Sequence, residues 1–247
     1  MVEKNFLEEF ANDGYQNIGR EECKIPFLRI LQPLNKQCQE GSDSYIKGAV
    51  AGLFYNTITN KLYGKTIKVI PIDFDRNWLE WKPNRGGFVA SHIPDSIKVD
   101  KSQFNKWLTL NGNIITEHYN FYCLIADHLE DDIVIFSMSS SSICHAKNWN
   151  SLISYTKLGS GQRAPYYSSV WELETSFNQN DKGNWFSIGN ASKTNIKRER
   201  FITEDEFKIS VSPAIELLRA RSQSLNLIGD GKNTDDGSNG SELALAY

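Results

Sequence analysis

Residues 62–82 read LYGKTIKVIPIDFDRNWLEWK, a stretch rich in β-branched and aromatic residues that predicts one long strand. Side chains alternate along a strand, so the even-numbered positions share a face. That face is apolar at first and then becomes charged around a tryptophan: Ile70, Ile72, Phe74, Arg76, Trp78, Glu80 and Lys82. A strand that bends around a barrel would carry this pattern, with one end buried and the other exposed.

The order of the other elements predicts the fold class. Further strand patterns cover residues 45–56, 114–127, 132–139, 165–177 and 184–190. A short helix is predicted near Gln103–Leu110, a second helix over 142–156, and a final one from Ser212 to about residue 222. We therefore expect a mainly β fold with few helices, a decorated OB-like β-barrel with one helix between strands plus terminal helices. An immunoglobulin-like sandwich is the alternative, which the helix at 142–156 disfavours.

Charge and composition divide the 247 residues into three parts. Residues 1–24 form an acidic N-terminal arm in which Phe6, Leu7 and Phe10 share one face of a short helix. Residues 25–222 are predicted to form a single OB-like domain. Residues 223–247 are rich in Gly, Asn, Asp and Ser, which predicts a disordered acidic tail. The two ends carry net charges of −4 (1–22) and −3 (223–247), so the body between them carries +4.

The absence of targeting signals and the cysteine usage point to the cytoplasm. No apolar run approaches the roughly 20 residues of a membrane span, and the acidic start has no signal-peptide pattern, so no membrane association is expected. The four cysteines form no CxxC pair, which favours free thiols over disulfides. The oligomeric state is left open by the sequence.

The far end of the long strand holds the first candidate binding residues. Trp78 lies between Arg76 and Lys82 on one face, and Arg85 follows in a glycine-containing loop. Single-stranded nucleic acid binds to this combination, because bases stack on aromatic rings and phosphates contact cations. Trp81 points to the opposite face, so we assign stacking to Trp78 and burial to Trp81.

Other cation and aromatic clusters extend the predicted nucleic-acid interface. Arg163 precedes Tyr166, which lies opposite an apolar strand face and is a second stacking candidate. Lys147 lies on the helix at 142–156, and Lys197 and Arg198 belong to a basic run that could follow phosphates.

Five segments carry a resemblance to a known family: IPFLRILQPLN (25–35), GLFYNTITNKLYG (52–64), IKVIPIDFDRNWLEWKP (67–83), MSSSSICHAKNWNSLI (138–153) and NDKGNWF (180–186). In their order and spacing they resemble bacteriophage single-stranded DNA-binding proteins of replication and recombination. The resemblance implies an OB-like fold and sequence-tolerant binding of single-stranded DNA. It also implies an acidic C-terminal tail that recruits replication or recombination proteins.

Enzyme signatures are missing from the sequence. GSGQR (159–163) lacks the Lys-Ser/Thr of a Walker A loop, and there is no HExxH motif, EF-hand loop or nucleophile elbow. We therefore predict no catalytic residues, no cofactor and no metal. Two alternatives stay open: a phage protein that binds another protein, and a metal-dependent nuclease that uses Asp73, Asp75, Asp127, Asp131 and Asp132.

Overall fold

The computed structural model describes residues 23–103, 106–181, 183–190 and 192–230. The predicted mainly β class is confirmed, and the strands of the described residues are β1 (Leu28–Ile30), β2 (Phe54–Asn56), β3 (Thr66–Trp81), β4 (Phe88–His92), β5 (Val99–Gln103), β6 (Lys106–Thr109), β7 (Ile114–Ile125), β8 (Val134–Ser139), β9 (Ser169–Glu174), β10 (Ser176–Asn180), β11 (Gly183–Ser187) and β12 (Ile196–Phe201). The helices are α1 (Ile143–Tyr155), α2 (Glu204–Glu206) and α3 (Ser212–Asp230).

Eight of these strands form one sheet around the long strand β3. The order is β12-β9-β3-β7-β6-β5, with β4 paired to β3 and β8 paired to β7. Two small antiparallel pairs, β1–β2 and β10–β11, lie beside it. Among the described strands these pairings leave the sheets open, so the pairing that would close an OB-type barrel is not observed.

A β-bulge in β3 exchanges the two faces of the strand. Pro71 pairs with Cys123 and Asp73 pairs with Tyr122, so Ile72 is one residue extra in β3. A proline cannot donate to the strand ladder, which makes this an expected place for a bulge. Phe74 therefore packs against the same hydrophobic core as Ile67, although one position is even-numbered and the other odd-numbered.

Both faces of the sheet are covered by helices. Trp149 of α1 stacks on Phe121 of β7 with 4.3 Å between ring centroids, inside the larger hydrophobic core. Leu218 of α3 packs on the opposite core together with Ile70 and Ile72 of β3. The helix predicted over 142–156 is thus confirmed as α1, and it anchors one face of the sheet by burying a large aromatic ring.

Three predicted elements differ from the structure. The strand expected over 45–56 is confined to Phe54–Asn56, and the helix expected near Gln103–Leu110 is a β-hairpin formed by β5 and β6. The final helical segment begins earlier, because Thr203 and Glu206 form a capping box and a π-helical turn over Phe207–Val211 leads into α3.

The ends of the chain were predicted only in part. The helix α3 runs to Asp230, beyond the end expected near residue 222. The predicted N-terminal helix and the last 17 residues of the predicted tail (231–247) lie outside the described residues. Among the helices of the described residues, none combines the length and the apolar composition that a membrane-spanning helix needs.

Candidate nucleic-acid interface

Trp78, the predicted stacking residue, is buried, so the prediction that its ring is exposed is wrong. Only 2% of its surface is exposed, and its ring packs edge to face on Trp107 of β6, 5.4 Å away. The Lys101 ammonium lies 4.7 Å from the Trp78 ring centroid and 4.3 Å from that of Trp107. Side chains of the β5–β6 hairpin, a segment that the sequence had predicted as a helix, therefore cover the Trp78 ring.

The cations predicted beside Trp78 are distributed differently from expectation. Arg76 is exposed and forms ion pairs with Glu117 (3.5 Å) and Asp95 (3.6 Å). Lys82 is exposed in the connection between β3 and β4, and Arg85 lies in a 3-10 turn of the same connection. Trp81, expected to be buried, is only half-buried.

Tyr166, the second predicted stacking residue, is half-buried. It packs against the hydrophobic core that contains Trp149, and its hydroxyl donates to Asn150 Oδ1 at 3.2 Å. Burial raises the pKa of its phenol far above the ordinary value. The prediction of an exposed ring is wrong here too, because helix α1 lies beside the strand that follows Tyr166.

Other predicted cations converge at a groove between the end of α1 and strand β12, which we call the α1–β12 groove. It has a volume of about 460 Å³. The residues that line it are Leu152, Tyr155, Thr156, Lys157, Trp171, Ile196, Lys197 and Arg198. Trp171 and Ile196 are buried. The cations Lys157, Lys197 and Arg198 are exposed.

Local structure explains how residues distant in sequence reach this groove. Helix α1 ends at Tyr155, where Thr156 Oγ1 donates to Leu152 O, and the chain then turns back through a bridge between Lys157 and Arg163. Arg163 Nη2 donates to Ser154 Oγ at 2.8 Å, so this predicted residue lies at the end of the same helix. Lys147 lies two turns earlier, on the same face of α1 as Ser154.

The pairing of β12 with β9 places the remaining cations. Arg198 pairs with Trp171, and a bulge follows between Arg198 and Arg200. The Arg198 guanidinium lies 4.8 Å from the ring centroid of Phe201. Lys197 is 4.0 Å from Glu172, a loose contact between two side chains that solvent reaches. Among the described residues, no carboxylate forms an ion pair with Lys157 or Arg198, so both charges are available to an anion.

An exposed aromatic ring, not singled out from the sequence, completes the groove. Tyr155 is the last residue of α1 and is 82% exposed. A ring this exposed beside cations is able to stack on a planar group. The signal was present in the sequence as Tyr155-Thr156-Lys157 at the end of a helical pattern, but the pattern alone did not indicate which way the ring would point.

Two of the aspartates considered for a nuclease make internal contacts. Asp75 accepts hydrogen bonds from Asn120 Nδ2 and Tyr122 OH, both at 2.7 Å. Asp131 accepts from Lys61 Nζ at 2.7 Å. Within the described ranges, no group of three or more His, Cys, Asp or Glu side chains is placed to hold a metal ion.

The protein is mainly β, and its groove holds an exposed tyrosine and cations at the end of the helix α1, which packs on the sheet. The chain belongs to the Pam3 phage gp34-like protein family, whose model matches residues 2–207. This match confirms the bacteriophage origin that the sequence resemblance implied, and it includes every residue that lines the α1–β12 groove. No curated protein and no solved structure matches the chain.

Proposed function

We propose that this protein binds single-stranded DNA without marked sequence preference and acts in phage DNA replication or recombination. The observation that carries the proposal is the exposed Tyr155 ring in one groove with Lys157 and Arg198, for which the described residues supply no carboxylate partner. Stacking platforms flanked by cations are the usual basis of sequence-tolerant single-strand binding, because every base has a π-face and every nucleotide a phosphate.

The groove favours the binding of single-stranded DNA over the binding of a duplex. A base can stack on Tyr155 only when it is free of its own neighbours in a duplex, whereas Lys157, Arg163 and Arg198 can follow a flexible phosphate backbone. Burial of Trp171 and Ile196 gives the groove an apolar floor, which suits base faces better than it suits phosphates alone.

Titration of a fluorescently labelled oligo(dT) tests the proposal. We expect tighter binding to the oligonucleotide than to a duplex of equal length, and a loss of affinity as salt rises from about 50 to 200 mM. Added magnesium is expected to leave the oligonucleotide intact. Equal affinity for duplex, or an affinity independent of salt, would contradict single-strand binding, and cleavage in magnesium would favour the nuclease alternative.

A matched pair of charge variants locates the site. Lys157→Gln/Arg198→Gln removes two cations from the groove and is expected to weaken oligonucleotide binding. Lys47→Gln/Lys98→Gln removes two exposed cations from outside the groove and is expected to leave binding nearly unchanged. If both variants weaken binding equally, the affinity comes from overall charge and the groove is not the site.

A further inference from the structure

A second concave site lies away from the α1–β12 groove, among β1, β8, the end of β3 and the β10–β11 hairpin. We call it the β8 cleft; its volume is about 530 Å³, within the range of sites that hold small molecules. Five aromatic side chains line it: Trp81 and Phe186 are half-buried, and Phe27, Tyr55 and Phe136 are buried. A cleft of this size and composition suits a planar ring system.

The charge of the β8 cleft comes from one arginine. Arg29 is exposed on β1. It forms no ion pair with another described residue. Its guanidinium lies 5.2 Å from the Phe27 ring centroid. No aspartate or glutamate is among the described residues that line the cleft. His118 in the wall adds no charge near neutral pH, because burial and the nearby Arg29 lower its pKa to about 4. The cleft therefore favours an anion.

Hydrogen bonds hold the Trp81 ring and the backbone of Phe186 in place. Trp81 Nε1 donates to Thr116 Oγ1 at 2.9 Å, and Thr116 is bonded in turn to His118 Nε2 at 3.1 Å. Gln32 bonds both sides of the Phe186 backbone, donating to its carbonyl at 3.0 Å and accepting from its N–H at 2.8 Å. Rings fixed before a ligand arrives bind it with a smaller loss of conformational entropy.

We infer that the β8 cleft binds one nucleotide unit, with the base against the aromatic wall and the phosphate at Arg29. The unit has two sources, a free nucleoside monophosphate or one nucleotide of a single strand, and both present the same base and phosphate. Guanidinium groups bind phosphate through paired N–H donors, which matches an arginine without a carboxylate partner. The inference concerns a different site from the groove and does not rest on the proposed function.

Calorimetric titration of the full chain with thymidine monophosphate tests the inference. We expect saturable binding of the monophosphate, and binding weaker by about tenfold or more for thymidine and for inorganic phosphate, since each lacks one half of the unit. Arg29→Gln is expected to weaken monophosphate binding about tenfold, with Arg29→Lys in between because it keeps the charge and loses the fork. Trp81→Phe is expected to retain binding and Trp81→Leu to lose it.

Competition separates the two sources. If the strand supplies the nucleotide, saturating thymidine monophosphate lowers the affinity for oligo(dT), and Arg29→Gln does the same. If the free nucleotide is the ligand, oligo(dT) affinity is unchanged by either. Both results support the cleft. Absence of saturable monophosphate binding overturns the inference, as does monophosphate binding that the Arg29→Gln variant retains in full.

The groove variant keeps this test distinct from that of the proposed function. Lys157→Gln/Arg198→Gln changes no residue of the β8 cleft, so it is expected to bind thymidine monophosphate as the unaltered protein does. Failure of groove variants to affect oligo(dT) would weaken the proposed function and leave the cleft standing. A loss of monophosphate binding in this variant would instead overturn the cleft as the site.

Discussion

The Trp78 ring packs edge to face on Trp107, with an interplanar angle of 72° and 5.4 Å between centroids. This contact makes Trp78 the link between the long strand and the β5–β6 hairpin. We expect Trp78→Ala to lower the free energy of unfolding by about 3–5 kcal/mol, as truncation of a large core side chain does. Urea unfolding measures the loss.

Tyr155→Ala is the matched control for that truncation, because it removes an aromatic ring that is 82% exposed. Its effect on the free energy of unfolding should stay within about 0.5 kcal/mol. Equal destabilisation by the two replacements would contradict the assignment of Trp78 to the core and of Tyr155 to the surface.

The position of Trp78 illustrates what the sequence of β3 could and could not predict. Its composition predicted the strand correctly, and Pro71 in its middle was a signal for a bulge that strict alternation ignored. The covering hairpin was harder to predict, because residues 99–109 are mostly polar and carry no clear two-residue period. Alternation gives the faces of a strand but does not identify what packs on them.

The α1–β12 groove also has features that the sequence could predict and features that it could not. Lys197, Arg198 and Arg163 were chosen from the sequence as cations. The pairing of β12 with β9 places the first two at the groove, and the bridge that turns the chain after α1 brings Arg163 to Ser154 near the end of that helix. Both contacts join segments that are not neighbours in sequence. Residue chemistry was therefore predictable, whereas the convergence at one groove required the tertiary structure.

Replacing Tyr155 tests the stacking part of the proposed function. Tyr155→Ala is expected to weaken oligo(dT) binding by about 1–3 kcal/mol, which is the usual contribution of one stacked base. Tyr155→Phe keeps the ring and should bind nearly as the unaltered protein does. Fluorescence anisotropy titrations at one salt concentration compare the three proteins. Equal losses in both variants would indicate a hydroxyl contact in place of stacking.

Replacing Arg198 tests the electrostatic part. Loss of one contact between the protein and a phosphate of a single strand is expected to reduce the slope of log affinity against log salt by about 0.7. Arg198→Gln should therefore flatten the slope by roughly that amount, while Lys98→Gln, outside the groove, should leave it unchanged. A slope that Arg198→Gln does not alter would show that Arg198 contacts no phosphate.

The start of the last helical segment depends on a short cap. Thr203 Oγ1 accepts from the Glu206 backbone N–H, and the Glu206 carboxylate accepts from both Arg200 and the Thr203 backbone. These hydrogen bonds lower the pKa of Glu206 to about 2. Thr203→Ala is expected to cost about 0.5–2 kcal/mol of unfolding free energy, and Thr203→Ser to restore most of it. Thermal or urea unfolding that does not distinguish Ala from Ser would contradict the cap.

His118 is expected to make the stability of the fold dependent on pH. Burial and Arg29 lower its pKa from 6.5 to about 4 in the folded protein. Below the ordinary pKa the unfolded chain binds a proton that the folded protein does not, so stability falls as the pH drops from about 6.5 towards 4. Between pH 7 and pH 5 the expected loss from this residue is about 2 kcal/mol.

His118→Gln removes the titrating group and serves as the reference, because every other titrating residue, including the buried His145, is present in both proteins. Urea unfolding of each protein at pH 7 and pH 5 gives two changes in stability. The unaltered protein should lose about 2 kcal/mol more than the variant. Equal losses would mean that His118 takes up its proton in the folded protein as readily as in the unfolded chain, which contradicts a neutral imidazole hydrogen-bonded between Thr116 and Ser137.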